Sequence, residues 1–394
     1  MGNFPRLLTS GADPIPFNRP FLVGTETSYI EQAVRGGWLS AGGAFTSRCE
    51  DWLRQTTGCG QVLLAHSGTA ALEAAALLIR VGPGDEVIMP SFTYVTTASA
   101  FALRGARPVF VDIDPETLNI DPERVAEAIT PSTRAIVAVH YAGVACEMGP
   151  ILDLAAQHDL IVIEDAAQGL LSSYEGSALG SMGQLGVLSF HETKNVTCGE
   201  GGALLVNEAD MRERAEILWD KGTDRRRFNR GEVDRYTWIG LGSSFGTGEV
   251  AAAFLWGQLE CAEQITAARM RIWQSYHEAF ADLEHDGLLR RPVVPPRRVH
   301  NAHMYYLLLS DSELRGEFIE EMGRRDILTV FHYVPLHSSP AGSRLGRAHG
   351  LLTNTEDISG RLVRLPLWMG LEEDAVTRVI ESSRAALTAR ARVP

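Results

Sequence analysis

The sequence predicts an α/β fold in which a mostly parallel, seven-stranded sheet lies between helices, followed by a smaller C-terminal α+β domain. Three observations carry this reading. Seven short apolar runs recur between residues 61 and 206, most of them separated by segments with helical patterning. From about Met211 the rhythm gives way to a long polar stretch, DKGTDRRRFNRGEVDRYTW. Beyond a Pro/Arg connector at 290–300 it resumes as strand, helix, strand and helix. A chain of 394 residues has room for two such domains.

Taken in order, residues 1–45 read as an irregular arm with one short helix near Thr25–Arg35. The large α/β domain is expected over 46–260 and the small one over 261–394. QVLLA (61–65), EVIMP (86–90), RPVFVD (107–112), AIVAVH (135–140) and LIVIED (160–165) are apolar, mostly β-branched runs of strand length. ALEAAALLI, DPERVAEAI and GPILDLAAQHD supply helices between them. GVLSF (186–190) and GALLV (202–206) are joined only by a loop, and a close parallel return needs a crossover, so GALLV is expected to run antiparallel. A helix is expected near Glu249–Arg271. Strands at HMYYLLL (303–309) and TVFHYV (329–334) flank the helix ELRGEFIEEMGRR, and a last helix closes the chain near 372–389.

Composition narrows the function classes. With 45% hydrophobic and 22% charged residues the chain is ordinary globular material. Its formal net charge of -13 argues against general affinity for nucleic acid or an anionic membrane. The five cysteines show no CxxC pair or metal-ligand spacing, which points to reduced thiols, no metal and a cytoplasmic protein. MGNFPRLLTS lacks the apolar stretch of a signal peptide, and Arg6 stands where a myristoylation signal has Ser or Thr. The longest mostly apolar run, Val62–Val81, is broken by His66, Ser67, Gly68, Thr69 and Glu73, so no membrane span is expected.

The chemistry concentrates at strand ends, where open α/β sheets bind ligands. Asp165 closes LIVIED; alone, a strand-end Asp is more often a helix N-cap. Lys194 follows the strand GVLSF and precedes a glycine-rich turn with Gly199, Gly201 and Gly202. A loop lysine is usually a solvated surface residue. Between apolar strands and a turn that allows close backbone approach, a lysine with a depressed pKa can instead form a Schiff base. One cofactor, pyridoxal 5′-phosphate (PLP), uses such a lysine together with three further features. It needs an acid facing the pyridine nitrogen, a phosphate cradle at a helix start, and an aromatic wall. Asp165, then Gly68 and Thr69 with the Ser189 hydroxyl, and Tyr94 are candidates for each in turn.

SGTAAL, PSFTYVTTASA, IEDAAQG, SFHETKN and GEGGAL, in that order, resemble the sugar aminotransferases of the DegT/DnrJ/EryC1/StrS family, within the aspartate aminotransferase superfamily of PLP fold type I. The resemblance covers nearly the whole chain. KGTDRRRFNRGEVDRYTWIGLGSSF, AAAFLWGQLE, NAHMYYLLL and VFHYVPLHSSPAG are similar to the family's dTDP-4-amino-4,6-dideoxygalactose transaminases. That group moves an amino group from glutamate to the C4 keto group of dTDP-4-keto-6-deoxyglucose, for polysaccharide or lipopolysaccharide biosynthesis. The resemblance implies that Lys194 is the Schiff-base lysine and proton shuttle, that Asp165 pairs with the pyridinium nitrogen, and that Gln168 bonds the ring hydroxyl. Tyr94 would stack on the ring, and Gly68, Thr69 and Ser189 would hold the phosphate.

In much of the family an Asn from a partner subunit also reaches the phosphate. Ser244 stands there in this sequence, which implies a homodimer with active sites at the interface. Arg230, with Arg227, is a candidate for the nucleotide's diphosphate, against the reading of a solvated basic loop. His332 and His337 look like substrate-pocket residues by likeness, although a lone His is more often structural. Two alternatives stay open. One is amination of another nucleotide keto-sugar, 3-keto or UDP-linked. The other is a non-catalytic regulatory protein on the same scaffold. Relatives that dehydrate sugars carry His in place of the lysine, which Lys194 opposes.

Overall fold

The computed structural model describes residues 13–390; the N-terminal reading of residues 1–12 lies outside the described residues. Seven main strands fill the first half of the chain. They are β1 (Gln61–Ala65), β2 (Glu86–Pro90), β3 (Arg107–Val111), β4 (Thr133–Val139), β5 (Ile161–Asp165), β6 (Leu185–Ser189) and β7 (Gly202–Val206). The second half adds β8 (Leu289–Arg290), β9 (Tyr305–Leu309), β10 (Arg347–Ala348) and β11 (Leu362–Leu365).

The main sheet has the order β1-β7-β6-β5-β4-β2-β3-β10. Strands from β6 outward pair in parallel, whereas β7 runs antiparallel to both β1 and β6, as the short connection requires. Seven strands are expected from the sequence and eight are present. The extra one, β10, is two residues in a Gly-bounded polar segment without apolar periodicity. Arg347 holds it at the edge through two bonds to Glu86 of 2.6 and 2.8 Å.

Side chains alternate across this sheet with the period of a strand. Leu63, Val87, Met89 and Val137 pack under α3 (Gly68–Leu78) and α4 (Val95–Ala102). Leu64, Ile88, Ile136 and Val162 face the opposite layer. With both faces buried, the carboxyl ends of the parallel strands are where the chain presents polar groups.

Strands β8, β9 and β11 form a separate antiparallel sheet, packed on the helices Ala262–Ala279, Ser312–Arg324 and Glu373–Arg390. Two expectations need correction here. The helix near Glu249–Arg271 is two helices, Glu249–Leu259 and Ala262–Ala279, with the break at Glu260–Cys261. TVFHYV is not a strand: only Val330 makes a bridge, to Arg364. Tyr333 has φ 34°, which takes the chain out of extended geometry, and Pro335 follows. Among the described residues no helix is long and apolar enough to cross a membrane.

Candidate active site

The parallel strands end around a cavity of about 1040 Å³. Gly68, Thr69, Tyr94, Asp165, Gln168, Ser189, Lys194 and His332 all line it. These residues come from segments up to 264 positions apart in sequence (68 to 332), and the sheet topology brings them together.

Asp165 is the last residue of β5 and 6% exposed. The chain turns after it without entering a helix, so it caps none. Its Oδ2 accepts from the Thr97 hydroxyl at 2.8 Å and its Oδ1 from the Ala167 N–H at 3.2 Å, which fixes the carboxylate plane. The neighbouring Glu164 points to the other side of the strand and is fully buried. It accepts from the backbone N–H groups of Gly180, Met182 and Gly183 and pairs with His140 Nε2 at 3.0 Å. His140 Nδ1 accepts the Cys146 N–H at 3.1 Å, so the ring proton on Nε2 is donated to Glu164. This buried anchor holds the end of β5, and with it Asp165.

At the start of α3, Ser67 caps the helix, its Oγ accepting the Ala70 N–H at 3.0 Å. The amides of Gly68 and Thr69 begin the helix and have no acceptor within it. Ser189, the last residue of β6, lies against this turn: a Cβ on Gly68 would sit 3.0 Å from Ser189 Cβ and 3.2 Å from its Oγ. Gly202, the first residue of β7, is tighter still, since a Cβ there would lie 2.5 Å from Gly68 N and from Ser67 C and O. Two glycines therefore let three chain segments close into one cradle. Free amides at a helix start beside a hydroxyl fit a phosphate group.

Lys194 is half-buried beside Asp165, its N–H donating to His191 O at 2.9 Å. Burial lowers its pKa to about 8; Asp165 opposes that shift and the Arg364 charge adds to it. Gln168 is fixed at both ends of its amide. Its Oε1 accepts the Ala142 N–H at 2.7 Å and its Nε2 donates to the Tyr333 hydroxyl at 3.0 Å. The aromatic wall is larger than Tyr94 alone. Tyr94 sits at the start of α4, 57% exposed, with its ring 6.4 Å from that of Tyr333. Tyr333 stacks on His332 at 3.6 Å, and His332 Nδ1 meets the Tyr141 hydroxyl at 2.8 Å. Burial, with the Arg364, His303 and Lys194 charges, pushes the His332 ring well below the usual imidazole range, so it is neutral.

Three of the residues expected from the sequence do not reach this cavity. Arg230 is on the surface, forked between Glu216 at 2.9 Å and Glu232 at 2.6 Å. His337 bridges Ser91 Oγ at 2.7 Å and Glu356 at 3.2 Å, outside the lining. Ser244 is exposed on a bridge to Asp220. In turn, Tyr333, His303 and Arg364 line the cavity and were not read from the sequence. His303 donates from Nδ1 to Asn195 Oδ1 at 3.2 Å, an orientation set by Asn195 Nδ2 donating to Asn301 O at 2.8 Å. Arg364 stands in the apolar strand run LVRL, where a charge is the visible signal.

The chain is similar in sequence and in fold to known proteins. The family model of the DegT/DnrJ/EryC1/StrS aminotransferases matches residues 21–384. GDP-perosamine synthase of Caulobacter vibrioides is 33% identical over 365 residues, covering 92% of this chain and 95% of that protein. The aminotransferase TlmJ of Streptoalloteichus hindustanus superposes with a TM-score of 0.87 at 31% identity, covering 96% of this chain and all of TlmJ. The PLP form of the putative sugar aminotransferase Spr1654 of Streptococcus pneumoniae superposes with a TM-score of 0.88 at 25% identity, covering 96% of this chain and 99% of that one. The chain belongs to the DegT/DnrJ/EryC1/StrS aminotransferase family.

Proposed function

We propose that this protein uses PLP, held through Lys194, to move an amino group from glutamate to the keto carbon of a nucleotide-linked sugar. The narrower reading is amination at C4 of dTDP-4-keto-6-deoxyglucose to give dTDP-4-amino-4,6-dideoxygalactose. The observation that carries the broad reading is the convergence of Lys194, Asp165 and the Gly68/Thr69/Ser189 cradle on one cavity. Bound PLP supplies an electron sink for charge that develops on the carbon bearing the transferred nitrogen.

The protein's own groups do the rest. Asp165, locked by Thr97 and Ala167, would keep a proton on the pyridine nitrogen of the bound cofactor. Gln168 and Tyr333, already bonded to each other, would hold the ring oxygen side of the cofactor, and α3 with Ser189 would hold its phosphate. Lys194, with its pKa lowered to about 8, has a free amine in a useful fraction near neutral pH and carries the proton between carbon atoms. We further propose that a second copy of the chain covers the segment 236–244. Trp238 and Leu241 there are 76% and 72% exposed, and Ser244 lies beside them to reach the partner's cradle.

The likeness to GDP-perosamine synthase favours a second reading, in which the acceptor is a GDP-linked keto-sugar. Incubation with glutamate and a panel of dTDP-, UDP- and GDP-linked keto-sugars, with NMR of the product, separates these readings. Formation of an amino sugar from the dTDP-linked 4-keto substrate supports the narrow one. Amino transfer to none of the panel contradicts the broad one.

A further inference from the structure

The three residues Asn301, Ala302 and His303, just before β9, are tied from three sides. Asn301 Nδ2 donates to the carbonyls of Gln168 and Leu170, at 2.8 and 2.9 Å. Arg269, from the helix Ala262–Ala279, donates from Nε and Nη2 to the carbonyls of Ala302 and His303, at 3.1 and 2.7 Å. Asn195, the residue after Lys194, donates from Nδ2 to Asn301 O at 2.8 Å. Ala302 is held at φ 50°, a left-handed conformation that a residue with a Cβ keeps only where its surroundings dictate it. His303 therefore leaves a fixed backbone, and its half-buried ring lines the cavity.

That ring has one committed nitrogen and one free one. Asn195 presents its carbonyl oxygen to Nδ1 at 3.2 Å, so Nδ1 carries the proton. Burial, with the charges of Lys194, Arg269 and Arg364, pushes the ring well below the usual imidazole range, so it takes no second proton near neutral pH. Nε2 is left as a bare acceptor, with no hydrogen-bond partner among the described residues. An acceptor in a half-buried wall costs free energy until a donor arrives. We propose that His303 Nε2 reads a hydroxyl of the keto-sugar, accepting a hydrogen bond from the hydroxyl on the carbon next to the ketone. This rests on the nucleotide keto-sugar reading above and deepens it.

The choice of substrate follows from the polar groups each one carries. Glutamate and 2-oxoglutarate bring two carboxylates, whose oxygens have only lone pairs to offer, and a bare acceptor repels them. Their remaining polar group, the amine or the ketone, must lie at Lys194. A sugar carries hydroxyls, and each can donate. The ring stands close enough to Lys194 for that charge to act on it, and Asn195 ties it to the lysine's own loop. The hydroxyl it meets is then one beside the reacting carbon, not one nearer the nucleotide. Such a contact makes the free hydroxyl a requirement, so a sugar with a methylene or an O-acylated carbon beside its ketone is a poor acceptor.

The test uses the PLP-loaded protein and its His303→Phe and His303→Gln variants. Phe keeps the bulk of the ring and removes the acceptor, while Gln restores an acceptor oxygen. The sugar is dTDP-4-keto-6-deoxyglucose, or its UDP- or GDP-linked counterpart if the panel above selects one, together with its 3-deoxy form. Half-saturation by L-glutamate is read from loss of the lysine-bound cofactor absorbance, with no sugar present. Half-saturation by the sugar is read from return of that absorbance, starting from the pyridoxamine-phosphate form. PLP affinity of each apoprotein and its melting temperature are measured alongside. His303→Phe should raise half-saturation by the sugar roughly 5- to 100-fold and move that by glutamate less than about threefold, since only the sugar hydroxyl loses its partner. His303→Gln should recover part of the loss. The 3-deoxy sugar should lose a similar factor with the wild type and nothing further with His303→Phe, because both changes remove the same bond. Equal half-saturation by the sugar in wild type and His303→Phe overturns the proposal, as does a 3-deoxy sugar that loses as much again with the variant. An equal loss for glutamate or for PLP overturns it in favour of a contact to Lys194 or the cofactor. An equal loss for both substrates with a lowered melting temperature reduces His303 to a structural tie. A wild type that aminates none of the panel sinks the proposed function and this contact together; one that aminates a sugar without regard to His303 sinks this contact alone.

Discussion

Gly68 offers a direct measure of how tightly the anion cradle is built. In Gly68→Ala the new Cβ would lie 3.0 Å from Ser189 Cβ and 3.2 Å from Ser189 Oγ, closer than side chains ordinarily approach. The neighbour must give by a few tenths of an ångström. Ser189 cannot simply turn aside, because it is paired in register with Gly202 across β6 and β7. Overpacking of this kind costs about 1–3 kcal/mol. Replacing glycine in a helix returns up to about 1 kcal/mol, and less at the first position. The net is a destabilisation of about 0–3 kcal/mol, small enough for the protein to fold. The displacement falls on the Gly68 and Thr69 amides and the Ser189 hydroxyl together, so cofactor affinity should drop by roughly tenfold, about 1.4 kcal/mol. Titration of the apoprotein with PLP, followed by absorbance, measures the affinity, and a thermal melt measures the stability. Gly202→Ala is the harsher control. Its Cβ would meet backbone atoms at 2.5 Å that cannot rotate away, and the cost should exceed about 3 kcal/mol. If Gly68→Ala bound PLP as tightly as the wild type, the cradle would not be the phosphate site.

Three further predictions follow from the site. Asp165→Asn keeps an oxygen for the Thr97 hydroxyl but loses the charge; transamination should fall by at least about 100-fold while PLP still binds, as kinetics and absorbance will show. Both Glu164 oxygens accept backbone N–H groups, Oε2 from Gly180 and Oε1 from Met182 and Gly183. The NH₂ of Glu164→Gln must therefore face at least one donor, and denaturant unfolding should show a loss of about 2–4 kcal/mol. Capture of PLP by the apoprotein should depend on the free amine of Lys194. Its pKa is lowered, so the amine is protonated below about 8 and free above it. The capture rate should climb through pH 8 and level off above it; a rate that climbs only near the ordinary lysine range contradicts the burial argument.

Much of this was legible in the sequence because it is local. Strands β1–β7 announce themselves as short apolar runs, and the brief link between β6 and β7 forecasts the antiparallel return. Lys194, Asp165, Gln168 and the cradle sit at strand ends next to glycines, where type and position point to chemistry. What was not legible depends on contacts between distant segments. The His140–Glu164 anchor joins neighbouring strands 24 residues apart, and nothing in either segment names its partner. Tyr333 was hidden in a run that reads as a strand, since β-branched and aromatic residues favour that reading and its positive φ has no sequence mark. Arg230 and His337 were drawn to the site by likeness, but nearby carboxylates and Ser91 hold them elsewhere in this chain. Arg364 required the cavity to be seen, because its place in an apolar strand run does not say what it faces.

The central claim is that Lys194 carries the cofactor, and the chain makes the test unusually clean. It has only two lysines, Lys194 and Lys221. Lys221 is exposed and paired with Asp220 at 3.2 Å, away from the cavity. Borohydride reduction of the PLP-loaded protein, followed by peptide mass spectrometry, reads the attachment directly. The account predicts one pyridoxyl group per chain, on the peptide containing Lys194, and none in Lys194→Ala. A pyridoxyl group on Lys221, or no covalent adduct at all, would contradict it.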